Sequence, residues 1–431
     1  MKKIPFNIYF IMLKKIILIF SLILLTISNS LAAFLLIPMT DSQLNHLKAY
    51  GIAFWSLQRG TEVQWLLNYR GGSFLIPFNQ NIQDECVIRG VSFEVIADVQ
   101  ASNILGEIAR PDINMDAVKL QKVPKIAVYS PKNKLPWDDA VTLALTYSEI
   151  PYDIIYDGEV LDGKLEEYDW LHLHHEDFTG QYGKFYKSYR EMNWYVEEVR
   201  LNEEMASRYG FSKVSKLKLA VAQLIKSYVA EGGFLFSMCS GTDSFDIALS
   251  SEHTDICESM YDGDPSSPDL QEKLDYSNTF AFKDFKIVRD PYIYEYSNID
   301  ATTTRKVPMT EDYFTLFDFS AKWDPVPTML CQNHQKIIKG FMGQTTAFNT
   351  EFIKPKVLIM GQNKIHHEAK YIHSEFGKGT WTFYAGHDPE DYRHVVGDPP
   401  TNLDNYPHSP GYRLILNNIL FPAAKKKKLK T

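Results

Sequence analysis

Residues 232–249 read GGFLFSMCSGTDSFDIAL. Gly232-Gly233 closes a predicted helix, KLKLAVAQLIKSYVAEGG (216–233). FLFSM then reads as a buried strand that breaks sharply at Cys239 before a second helix. A nucleophile on such a strand-to-helix turn projects out of the sheet. The next backbone N–H and the helix N-terminus can stabilise an oxyanion and lower the thiol pKa.

Working outward, IAVYS (126–130), DIIYD (153–157) and YDWLHLHH (168–175) read as strands, with DDAVTLALTYSEI (138–150) as a helix between the first two. Strands alternating with helices predict a parallel sheet with right-handed crossovers. From 256 to 375 the pattern changes to strand-like FAFKDFKIV (280–288), YIYEYS (292–297), YFTLFDFS (313–320) and KVLIMG (356–361), read as a β-rich insertion. Tyr292, Tyr294 and Tyr296 would then share one strand face, for packing or for a sugar ring. The α/β pattern returns with GTWTFYAGH (379–387) and a closing helix, YRLILNNIL (412–420). Upstream, FLLIPM (34–39), a helix over 42–57, the stretch 63–76 broken at Gly71-Gly72, and SFEVIA (92–97) with a following helix form a small N-terminal α/β domain, 34–120. The main domain runs over 123–424, and 425–431 is a Lys-rich tail.

The chain has 431 residues and a net charge of −8. Without the four lysines of the first 33 residues and the five of residues 425–430 the body carries −17. A body this acidic argues against gripping a nucleic acid backbone. Lys14-Lys15, the apolar run IILIFSLILLTIS (16–28) and the small residues Ser30, Ala32 and Ala33 read as a secretory signal peptide, 1–33. The run is short for a span, and no later run is long enough to cross a membrane. The expectation is an exported periplasmic or extracellular protein, in a compartment without ATP. Four cysteines, Cys86, Cys239, Cys257 and Cys331, exclude a disulfide mini-scaffold. Whether they pair, and the oligomeric state, stay open.

Ligands collect at the carboxyl ends of parallel strands. Three polar clusters fall there: His172 to Asp177, Cys239 to Ser244, and Gly386 to Glu390. His172 and His174 share a strand face, with His175, Glu176 and Asp177 in the loop. Imidazoles with carboxylates suit a divalent metal, although no helical ligand spacing accompanies them. Packing of the histidines and capping by the acids is the alternative. Asp262, Asp264 and Asp269 lie in a turn that could hold Ca²⁺, and Arg70 could reach an anion.

Ser237-Met238-Cys239-Ser240-Gly241 resembles the G-x-C-x-G elbow of class I glutamine amidotransferases, with Ser237 for the first glycine. That family also carries a strand ending in H-P-E, which here is His387-Asp388-Pro389-Glu390, one residue longer. The resemblance implies a flavodoxin-like parallel sheet, with Cys239 as nucleophile, His387 as base and Glu390 as orienter. GKGTWTFYAGHDPED (377–391) looks more like the trehalose-utilisation-type branch, in which that triad is not generally retained. Ser240-Gly241-Thr242-Asp243-Ser244 resembles the S-G-G-x-D-S pyrophosphate loop. With LHLHHEDFTGQYGKFY (171–186) and FSAKWDPVPTMLCQNH (319–334), the whole chain looks like exported proteins usually labelled asparagine synthetase B. Thr242 replaces a glycine of that loop, and a leader occupies the end where such synthetases keep a catalytic cysteine. Three functions therefore stand: a hydrolase or amidase using Cys239, His387 and Glu390; a non-catalytic or metal-assisted carbohydrate-active module; and an ATP-dependent amide ligase. The expected ligand is a small molecule or carbohydrate, contacted by His174, His175, Glu176, Asp177, Ser240 and Asp243. No ATP or other organic cofactor is expected.

Overall fold

The computed structural model describes residues 32–424, apart from 134, 325 and 326. The expected signal peptide and the Lys-rich tail lie outside the described residues, save that Ala32 and Ala33 begin the first strand. The protein is a mixed α/β structure built on two sheets.

The first sheet is antiparallel. Its strands β1 (Ala32–Ile37), β2 (Val63–Leu67), β3 (Ser73–Pro77), β4 (Glu94–Ala97) and β5 (Asp116–Leu120) lie in the order β4-β1-β3-β2-β5. Helix α1 (His46–Gln58), capped by the Asn45 side chain on the Lys48 N–H, covers it. Arg70, in the β2–β3 turn, is paired at 2.8 Å with Glu94.

The second sheet holds β6 (Ile126–Tyr129), β7 (Asp153–Ile155), β8 (Trp170–Leu173), β9 (Phe234–Met238), β10 (Tyr313–Leu316), β11 (Ile337–Lys339), β12 (Phe348–Asn349), β13 (Leu358–Asn363), β14 (Glu368–Phe376) and β15 (Gly379–Tyr384). Its order is β11-β10-β13-β14-β15-β9-β8-β6-β7, with β12 paired to β14. From β15 to β7 every neighbouring pair is parallel, and from β11 to β15 every pair is antiparallel. Helices α2 (Ala140–Tyr147), α3 (Asn193–Arg208), α4 (Val214–Glu231), α5 (Ser240–Ser250) and α6 (Pro410–Leu420) complete the frame.

Strand alternation divides the core. Trp170, Phe236 and Met238 face a cluster that also contains Trp65, Phe74, Tyr50, Phe54, Tyr412 and Leu416. Leu171, Leu173, Leu235 and Phe383 face the other way, onto Val221, Ile225 and Val229 of α4. The first cluster draws on both sheets, with α6 packed on α1 and α2 between them.

Residues 256–375 differ from the expected β-rich insertion. FAFKDFKIV and YIYEYS form turns and isolated bridges, and β10, β11, β13 and β14 extend the main sheet instead of building one of their own. Tyr292, Tyr294 and Tyr296 therefore do not share a strand face: Tyr296 is buried while Tyr292 and Tyr294 stay open. The Asp246 carboxylate of α5 anchors this region, accepting the N–H groups of Phe280, Ala281 and Phe282 at 2.7, 2.7 and 2.9 Å. Further along, buried Arg305 is held between Asp312 and Glu368, each at 2.9 Å. The acidic turn receives Lys213: its ammonium lies 2.6 Å from Asp255 and 3.0 Å from Asp262, and also meets Asp264. All four cysteines are free and buried.

Candidate active site

The loops leaving β6, β8, β9 and β15 emerge at one edge of the parallel strands, and the site is assembled there. Helix α4 stops at Gly232, whose φ of 127° is open to glycine. Strand β9 is buried throughout and ends at Cys239, which has φ 51° and ψ −140°. This is a strained left-handed conformation for a residue with a side chain. It turns the chain directly into α5, so that Cys239 is the N-cap of that helix. Close approach of α5 to β8 depends on Gly241: its N–H donates to the His174 carbonyl at 2.6 Å, and a Cβ there would lie 2.6 Å from the same oxygen.

The Cys239 thiol lies 3.0 Å from the Gln344 carbonyl and meets the Ser240 N–H. Burial pushes the thiol up to about 12, against the lowering influence of that N–H. The low thiol pKa expected from the helix N-terminus is thus corrected: desolvation outweighs the helix end.

Around the sulfur stand imidazoles. One ligand-type atom from each of His174, His175, Cys239 and His387 falls within 4.8 Å of every other. The rings of His174 and His175 stack at 3.8 Å and those of His387 and His394 at 4.2 Å, while those of His175 and His387 lie tilted at 4.4 Å. Burial holds His174 down to about 4 and His175 well below the usual imidazole value.

Two neighbouring carboxylates orient these rings. Asp139 caps α2 through Oδ1 on the Thr142 N–H, while its Oδ2 lies 3.0 Å from both His172 Nε2 and His174 Nδ1. Burial would raise its carboxyl, but the two histidines outweigh that and hold it well below the usual range. Asp138 faces His387 Nε2 at 3.5 Å and His394 Nε2 at 3.1 Å. Its carboxyl is also lowered: burial opposes, and contact with His387 and the His394 charge prevail. The Asp138 carbonyl is 2.9 Å from His175 Nε2.

Of the residues expected from sequence, Cys239, His387, His174 and His175 come together. Glu390 lies elsewhere, hydrogen-bonded to Ser409, so the carboxylate nearest His387 is Asp138. Glu176 turns to the other face of the loop, 3.4 Å from the Tyr156 hydroxyl and close to Lys218. Asp177 binds the N–H groups of Thr179 and Gly183. Asp243 accepts from Thr345 at 2.8 Å and Ser244 donates to the Glu176 carbonyl at 3.0 Å, so these side chains of the SGTDS run bond within the protein. Ser240 is buried at the head of α5, its Oγ without a hydrogen-bond partner.

Asp138, Asp139, His394 and Gln344 were not singled out in the sequence. The first two stand in DDAVTL, which reads as the start of a helix; their position after a parallel strand was the available signal. Beside Cys239 and His387 opens a cavity of about 380 Å³, walled by Trp137, Phe185, Tyr189, Tyr292 and Tyr294.

No family model matches the chain, and no curated protein matches it. Among solved structures it is similar to the cytoplasmic protein STM3548 from Salmonella typhimurium, at 10% identity and a TM-score of 0.34, over 70% of this chain and 100% of that one. The cytoplasmic protein STM1381 from Salmonella typhimurium LT2 gives 12% and 0.34 over the same shares. The beta-galactosidase from Bacillus circulans sp. alkalophilus gives 9% and 0.24, over 63% of this chain and 29% of that one.

Proposed function

We propose that the protein is a cysteine hydrolase of class I glutamine amidotransferase-like architecture that cleaves amide or related acyl bonds. The observation that carries this reading is Cys239 itself, at positive φ on a strand-to-helix elbow and within 4.8 Å of a His387 ring nitrogen. The strand order supports it too. Numbered along the chain, the five parallel strands lie 2-1-3-4-5, the flavodoxin-like order.

A thiol this buried is protonated at neutral pH, so attack must be coupled to proton transfer. His387 takes the Cys239 proton as Sγ bonds to the substrate carbonyl carbon. It then gives that proton to the leaving amine or alcohol as the C–N or C–O bond breaks, leaving a thioester. Water, deprotonated by His387, attacks the thioester and returns the thiol. Asp138, 3.5 Å from His387 Nε2, orients the ring. The ring-walled cavity suits a substrate with a flat face, a sugar ring included.

Hydrolysis of p-nitrophenyl acetate by the full chain tests the proposal. Cys239→Ala and His387→Ala should each lower kcat/KM by about 10²-fold or more. Asp138→Asn should lower it less and shift the pH profile, as expected of a positioning residue. Hydrolysis indifferent to Cys239→Ala would end the reading.

A further inference from the structure

We infer that His174, His175, Cys239 and His387 form a binding site for a transition-metal dication of the zinc type, which shuts off the thiol when bound. The donors are three imidazoles and one sulfur, the set such ions select. Their four atoms already lie within 4.8 Å of one another. Tetrahedral zinc with these donors needs edges of about 3.3–3.6 Å, so no pair has to close by more than about 1.5 Å.

The surroundings are those of a metal site. His174 is 2% exposed, and with Nδ1 facing Asp139 its Nε2 is left buried with no hydrogen-bond partner. His175 is arranged alike: Nε2 meets the Asp138 carbonyl, freeing Nδ1. A carboxylate or carbonyl holding one ring nitrogen while the other faces inward is the usual support of a histidine ligand. A buried imidazole nitrogen with no partner is costly, and a shared cation would satisfy that of His174. The field also favours a cation. A thiolate and the carboxylates of Asp138 and Asp139 bring three negative charges against the two positive charges of the ion.

Binding replaces the Cys239 proton by the metal, releases that proton to solvent, and uses the lone pair that would attack a carbonyl carbon. This regulation rests on the hydrolase reading, whereas the metal site itself does not.

The test uses full-length protein stripped with a chelator and titrated with Zn²⁺ by calorimetry and with Co²⁺ by visible absorption. One equivalent should bind, with a thiolate-to-cobalt charge-transfer band. Cys239→Ser should abolish that band while leaving a weaker site. Asp139→Asn should weaken binding about 10- to 100-fold, and Glu390→Gln should leave it unchanged. No stoichiometric binding, or a cobalt spectrum indifferent to Cys239→Ser, would overturn the site. Hydrolysis by the stripped protein that Zn²⁺ suppresses supports site and regulation together. Stoichiometric zinc with an inactive stripped protein keeps the site and removes the hydrolase. Activity without metal binding removes the site alone.

Discussion

Cys239 carries a backbone cost that its neighbours must hold in place. A non-glycine residue at φ 51° and ψ −140° costs on the order of 1–3 kcal/mol. Glycine adopts this conformation freely and alanine does not. Cys239→Gly should therefore be more stable than Cys239→Ala by about 1 kcal/mol in urea unfolding, although both lack the thiol and leave similar space. Equal stabilities would mean that the elbow is unstrained. This residue was legible because a buried strand, a cysteine and a helix follow one another in the sequence. His387 was legible because it closely follows a strand, β15. Asp138 was not, since a carboxylate that orients a histidine 249 positions away leaves no local pattern. Glu390 matched a motif, yet its side chain ends on Ser409.

Strands such as β8, β9 and β15 were readable because they are covered on both faces, so large apolar side chains crowd the short runs WLHL, FLFSM and GTWTFY. The segment 280–297 was not. Alternating aromatics mimic a strand, but here Asp290 and Pro291 start a turn, and the rings serve a cavity wall and a core pocket. The site depends on how closely α5 seats against β8, and Gly241 sets that distance. Gly241→Ala places a methyl group 2.6 Å from the His174 carbonyl oxygen. The helix must move, at a cost of about 1–3 kcal/mol. Thermal unfolding should show that loss, and p-nitrophenyl acetate hydrolysis should fall with it because Cys239 heads the same helix. Unchanged stability would show that α5 has room to shift.

Across the whole molecule, the two sheets meet at a patch of histidines around Arg413. The His46 and His334 rings lie 4.3 Å apart, and an Arg413 nitrogen is 3.3 Å from His334. Burial and then the Arg413 charge hold His46 down to about 3 and His334 to about 2. In the unfolded chain both accept protons near pH 6.5. The folded state therefore binds fewer protons between about pH 6.5 and pH 3. Stability should be full above pH 6.5 and fall as pH drops, by up to about 1.4 kcal/mol per pH unit for each histidine. Urea midpoints measured between pH 7 and 4 should show this slope, and His46→Asn with His334→Asn should flatten it. The same contact has a consequence for synthesis. Every residue from Gly411 to Leu420 is buried, and α6 comes long after α1 and α2, on which it packs, in the chain. At about 5–20 residues per second, translation leaves the inner surfaces of α1 and α2 waiting many seconds for their cover. A nascent chain halted before residue 410 would present those surfaces to chaperones or to other nascent chains.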